Sequence, residues 1–243
     1  MRRRIAVLTL AVGLLVALAP APAAEAAWAG GAFATCSADY PFTKCWSTRG
    51  VMASIDVVDV VLGQPLTQTS QYVGSVYVRK NVDNFCEFGW VQTRFPFGYG
   101  DKDMFILCKY LGVEALHWMD LNPGSLPNGE YRFEIYQNAG TPDVFRFRWA
   151  YGGVWTNTGQ TFTFPNAPWT GAAVTADETT DVDDIDYHEF SNVWMENSLY
   201  VWKPANSDYN THLYYIEYSE TCCTSGLRVN QGQTGDDVLI DIG

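Results

Sequence analysis

The chain has 243 residues, a net charge of −12, 47% hydrophobic and 15% aromatic residues, six cysteines and three histidines. With no Lys/Arg cluster beyond the first four residues, so acidic a chain repels phosphate backbones and anionic bilayer surfaces, which excludes nucleic acid as a partner. Beyond the N-terminus no segment has the roughly 18 consecutive apolar residues of a membrane helix, so membrane insertion is not expected.

Met1-Arg2-Arg3-Arg4, the apolar run from Ile5 to Ala19 and the small-residue site Ala24-Glu25-Ala26 have the order of a secretory signal. Cleavage after Ala26 removes three arginines and one glutamate, takes the net charge from −12 to −14, and places residues 27–243 outside the cell. That length suits one β domain. All six cysteines (Cys36, Cys45, Cys86, Cys108, Cys222 and Cys223) lie in the exported part, where an even number implies disulfides. Nearness in sequence favours Cys36 with Cys45, pinning an N-terminal arm, and Cys86 with Cys108 between neighbouring strands. Cys222 and Cys223 are left to bridge each other or to pair elsewhere. Zinc is a weaker reading, because there is no C-x-x-C and His117, His188 and His212 are scattered.

Strands are expected at Met52 to Leu62, Tyr72 to Arg79, the Cys86 segment, Met104 to Tyr110 and Glu114 to Asp120, with a loop containing Pro96, Gly98, Gly100 and Asp101. Glu130 to Tyr136 and Asp143 to Tyr151 form the clearest hairpin. Alternation puts Tyr131, Phe133, Ile135, Phe145, Phe147 and Trp149 on one face, and Arg132, Glu134, Arg146 and Arg148 on the other. Ion pairs on a wet sheet face account for those four; a carboxylate- or sugar-binding patch is the sharper reading. Two short strands follow, Val154 to Thr156 and Thr161 to Phe164, around Gly159. The rest of the chain alternates from Val174 to Ile242, and nowhere does a helical period of 3.6 develop. The expected fold is all-β: a two-sheet antiparallel β-sandwich of jelly-roll or concanavalin-like type.

Cys86-Glu87-Phe88-Gly89-Trp90-Val91-Gln92 is the most informative stretch, since it sets one carboxylate in an aromatic strand. Phe88 and Trp90 belong to a core, so Glu87 and Gly89 face away from it, and Gly89 leaves room for a ligand backbone. Glu87-Phe88-Gly89-Trp90, then Pro96, Tyr99-Gly100-Asp101 and Phe105, resembles the E-x-G-W…P…Y-G-D…F run of the neprosin family, secreted β-sandwich glutamic peptidases. The resemblance spans about twenty positions. It implies that Glu87 is one of two catalytic glutamates, with Glu178 or Glu189 as candidates for the second; Gln92 and Tyr99 are candidate binding residues. Paired carboxyls cannot both ionise cheaply, so one stays protonated and polarises a carbonyl while the other activates water.

The acidic run Asp177 to Asp186 reads first as a solvated loop, then as a calcium site at Asp177, Asp181, Asp183 and Asp184. No other cofactor is implied. The functional expectation is a secreted glutamic-peptidase-like hydrolase acting on a polypeptide. The alternatives are a non-catalytic glycan-binding module, with an exposed Trp or Tyr stacking on sugars, and a structural envelope-associated protein.

Overall fold

A computed structural model describes residues 28–35, 49–59, 70–81, 83–95, 98–120, 125–164, 171–178, 185–196, 199–204, 213–218, 228–231 and 238–242. In chain order the strands are β1 (Trp28–Thr35), β2 (Gly50–Val57), β3 (Ser70–Asn81), β4 (Asn84–Phe95), β5 (Gly98–Tyr110), β6 (Val113–Asp120), β7 (Gly129–Asn138) and β8 (Thr141–Tyr151). They continue with β9 (Val154–Thr163), β10 (Gly171–Glu178), β11 (Ile185–Glu196), β12 (Trp202–Pro204), β13 (Leu213–Tyr218), β14 (Arg228–Gln231) and β15 (Val238–Ile242). No helix occurs among the described residues.

The strands make two antiparallel sheets, one of seven in the order β13-β1-β10-β3-β4-β5-β6 and one of eight in the order β14-β15-β11-β2-β7-β8-β9, with β12 hooked onto β11. Alternation supplies one apolar face from each sheet. Cys86, Phe88 and Trp90 of β4 meet Phe133 of β7 and Phe147 of β8, and Phe88 lies edge-on to both phenyl rings at 5.2 and 5.8 Å. This is the expected β-sandwich, with the hairpin core Tyr131, Phe133, Ile135, Phe145 and Phe147 buried as its alternation predicts.

Three local expectations change. Strand β5 starts at Gly98, inside the expected loop, because a register shift between Gln92 and Arg94 lets Gly98 and Tyr99 pair with Phe95 and Arg94. The two short strands around Gly159 are one strand, β9, where Gly159 at φ 78° takes up an irregular step opposite Arg146 to Arg148. The N-terminal arm is itself a sheet strand, since β1 pairs with both β10 and β13.

Lys102 ties the sheets at one edge. Its buried ammonium reaches across from β5 to Asp59 at 2.7 Å, just past β2, and to Asn128 ahead of β7. The ammonium holds the Asp59 carboxyl below the usual carboxylate range.

Candidate functional site

Glu87 lies on the outer face of the seven-stranded sheet and is only 9% exposed, so it is not the solvated glutamate of a wet face. Ser75 Oγ donates to its Oε1 at 2.5 Å, and Val73, Val91, Phe105 and Leu107 form a small apolar cluster on the same face. Gly89 permits this arrangement differently from the expectation. A Cβ there would lie 2.1 Å from Gly74 O and 2.6 Å from Ser75 Cα, so the space is filled by β3 and not by a ligand. The glycine lets the two strands close up and delivers Ser75 to Glu87.

Register decides which residues can join that carboxylate. Its row runs Ala173–Tyr77–Glu87–Leu107 across β10, β3, β4 and β5. In those four strands, neither that row nor the next same-face row on either side contains another acid. Glu178 pairs with Tyr72, which pairs with Gln92, five residues along and at the opposite parity of the pleat. Glu189 pairs with Leu239 in the other sheet. The side chains of Glu178 and Glu189 lie outside the described residues. Gln92 is buried on the side of Phe88 and Trp90, which removes it from any outer surface, and the Tyr99 side chain lies outside the described residues.

The outer face of the eight-stranded sheet holds a second constellation. Glu134 on β7 and Arg148 on β8 are cross-strand partners, joined by Nε to Oε2 and Nη2 to Oε1, both at 2.8 Å. The Arg148 guanidinium also lies 4.9 Å from the Tyr136 ring centre and 4.4 Å from that of Trp155. Glu134 is 1% exposed, so this is not the wet ion pair expected from alternation. Burial pushes its carboxyl upward, opposed by Arg148 and by the charge of Arg132. Arg146, on the same face, donates to the Val144 carbonyl at 3.3 Å.

Glu196 on β11 joins this group and was not singled out in the sequence, where nothing but alternation with Trp194 marks it. It is 5% exposed, and burial pushes its carboxyl up to about 7. The Gln137 N–H, 3.4 Å from Oε2, opposes the shift, as do Arg49 and Arg148, while the nearby Glu134 adds to it. Its cross-strand partner is Gly50, where a Cβ would lie 2.5 Å from Ile135 O and 3.1 Å from the Trp202 ring, so the lid of β12 fits only above a glycine.

Beside this cluster opens a cavity of about 740 Å³, lined among others by Ser54, Glu130, Arg132, Tyr151, Trp155 and Asn192. Local sequence builds its walls. Gly152 at φ 58° and Gly153 at φ 81° make the two-residue turn between β8 and β9, which sets Tyr151 and Trp155 on either side of the hairpin end. Tyr151 stacks on Tyr131 at 4.6 Å and stays 43% exposed, and Trp155 is 39% exposed. The irregular step in β11 between Ser191 and Trp194 carries Asn192 at φ 51° into the cavity lining.

Cys86 and Cys108 are cross-strand partners and form the expected disulfide. Cys36, Cys45, Cys222 and Cys223 lie outside the described residues, as do Asp181, Asp183 and Asp184 of the calcium expectation and the Asp177 side chain. Among the described residues no three His, Cys, Asp or Glu side chains converge as a metal site, and no helix is long and apolar enough to cross a membrane.

No protein-family model and no curated protein matches the chain, so membership of the neprosin family has no support from those comparisons. Solved structures do match. Scytalido-glutamic peptidase with a peptide-based transition state analogue superposes with a TM-score of 0.54 at 10% identity, over 89% of this chain and 98% of that one. SCP-B, a member of the eqolisin family of peptidases in complex with the tripeptide Ala-Ile-His, gives a TM-score of 0.50 at 10% identity, over 89% and 98%. At that identity the likeness is one of fold: this chain has the β-sandwich architecture of the glutamic peptidases.

Proposed function

We propose that this chain is an exported sugar-binding sandwich whose working surface is the cavity on the eight-stranded sheet. The observation that carries the reading is the cavity itself, where the exposed ring of Trp155 stands on the same sheet face as Arg132, with Ser54, Glu130 and Asn192 completing the lining. Aromatic faces take the C–H side of a pyranose ring, while a few fixed polar groups take its hydroxyls and set orientation. A cavity of about 740 Å³ has the size of ordinary small-ligand sites. The test is binding to an array of immobilised glycans. Retained glycans that Trp155→Ala loses, with unchanged thermal stability, support the reading, and an array with no bound glycan ends it.

A second reading, hydrolysis of polypeptides, has one observation in its favour: Glu87 is a buried carboxylate with a serine hydroxyl donating to it at 2.5 Å on an outer sheet face. A buried carboxylate is the group that would serve as base in the carboxyl chemistry of a glutamic peptidase. Glu87→Gln would then abolish cleavage of a denatured protein at acid pH. Equal cleavage by both forms would remove Glu87 from the chemistry.

A further inference from the structure

Three arginines share the outer face of β7 and β8, and their donors are committed differently. Arg148 gives its fork to Glu134 and is held between Tyr136 and Trp155. Arg146 donates to the carbonyl of Val144. Arg132 lines the cavity, is within electrostatic reach of Glu134, and forms no ion pair among the described residues. Its Nε is buried and has no hydrogen-bond partner among the described residues.

We infer that the cavity takes a sugar bearing a carboxylate, with Arg132 as the residue that holds the charge; this rests on the sugar-binding reading above. With Nε closed off, the two terminal nitrogens of the guanidinium are left to hold a ligand carboxylate through two parallel hydrogen bonds of fork geometry. Arg148 cannot serve, because its fork is already filled by a carboxylate that is 1% exposed.

The other lining groups narrow the ligand further. Glu130 is the next same-face residue of β7 beyond Arg132 and is exposed, so the cavity has an anionic end as well as a cationic one. A bare inorganic anion meets repulsion there. A uronic acid instead offers hydroxyl donors to Glu130, its carboxylate to Arg132, and a ring face to Trp155. The net charge of −12 opposes densely charged polyanions at long range, so a short, singly charged oligosaccharide is favoured over a sulfated chain.

The experiment is calorimetric titration of the exported chain with a glucuronic-acid-containing disaccharide and with the same disaccharide reduced at its carboxyl to the neutral alcohol. The acidic sugar is expected to bind about tenfold tighter than the neutral one. Arg132→Gln should erase that difference, Arg132→Lys should restore only part of it because a point charge cannot form the fork, and Trp155→Ala should weaken both sugars. Circular dichroism melts confirm that each variant is folded. Equal affinity of the wild type for both sugars, with loss of both in Trp155→Ala, overturns the carboxylate inference and leaves the sugar-binding reading standing. Binding of neither sugar, alongside an array with no bound glycan, overturns both. A preference for the acidic sugar that survives Arg132→Gln also overturns the inference.

Discussion

Glu134 and Arg148 face each other across β7 and β8 through two parallel 2.8 Å hydrogen bonds, with the carboxylate almost entirely removed from water. Geometry of this kind makes the pair strongly interdependent. Arg148→Met strands a buried carboxylate and should cost about 3 kcal/mol, the lower end for such a broken pair because the arginine side chain is 35% exposed. Replacing both partners, as Glu134→Gln with Arg148→Met, should recover most of the loss, since it is the lone charge that is expensive. Urea denaturation of the three forms checks this; equal destabilisation of the single and double variants would show that packing, not the charge, dominates.

Glu196 gives the fold an unusual pH dependence. Its carboxyl titrates near 7 in the folded chain against an ordinary value of 4.5, so between those limits the folded state holds a proton that the unfolded state has released. Stability from this group is therefore greatest below pH 4.5, falls as pH rises toward 7, and stays reduced above it. The two arginines are already counted in that value, and by linkage a rise of this size corresponds to a loss on the order of 3 kcal/mol. Glu196→Gln should be more stable than wild type at pH 8 and lose most of the slope between pH 5 and 8. Denaturant midpoints at the two pH values measure it.

The sandwich was legible in the sequence because alternation is a local property: Tyr131, Phe133 and Ile135 declare their face within five residues. The Cys86 to Cys108 link was legible for a related reason, since hairpin neighbours in sequence become cross-strand partners. The site was less so. Alternation sent Glu87 and Glu134 outward correctly but could not reveal that both are buried, because burial there depends on cross-strand neighbours such as Ser75 and Arg148 that only the pairing of strands brings together. Nor does alternation fix which residues of β10 stand opposite β4. Only the register showed that Ala173 stands in the row of Glu87.

The Cys86–Cys108 disulfide joins directly paired residues 22 positions apart and lies wholly within the core. Closing a loop of that size restricts the unfolded chain by about 3 kcal/mol. The double variant Cys86→Ala with Cys108→Ala should lose that amount plus the packing of two buried sulfurs, and its unfolding midpoint should no longer respond to dithiothreitol through this bond. A fall much below about 1 kcal/mol would mean that the β4 and β5 pairing already orders the segment in the unfolded ensemble.

Gly89 links strand packing to the Glu87 environment, and substitution separates the two contributions. A methyl at Gly89 would press on Gly74 O at 2.1 Å and on Ser75 Cα at 2.6 Å, both parts of a strand with little freedom to yield. Gly89→Ala should destabilise by about 1–3 kcal/mol or more, and should lengthen the Ser75 to Glu87 hydrogen bond as β3 backs away from β4. Gly140→Ala is the control, because a Cβ there meets nothing within 4 Å; it should be neutral or slightly stabilising through the unfolded state. Thermal melts of the two variants give the stability comparison. The carboxyl carbon chemical shift of Glu87 at a fixed pH reports the hydrogen bond, because a retreating Ser75 hydroxyl removes a donor to that carboxyl group. A tolerated Gly89→Ala with an unchanged chemical shift would mean that the close approach of β3 is not what holds Ser75 against Glu87.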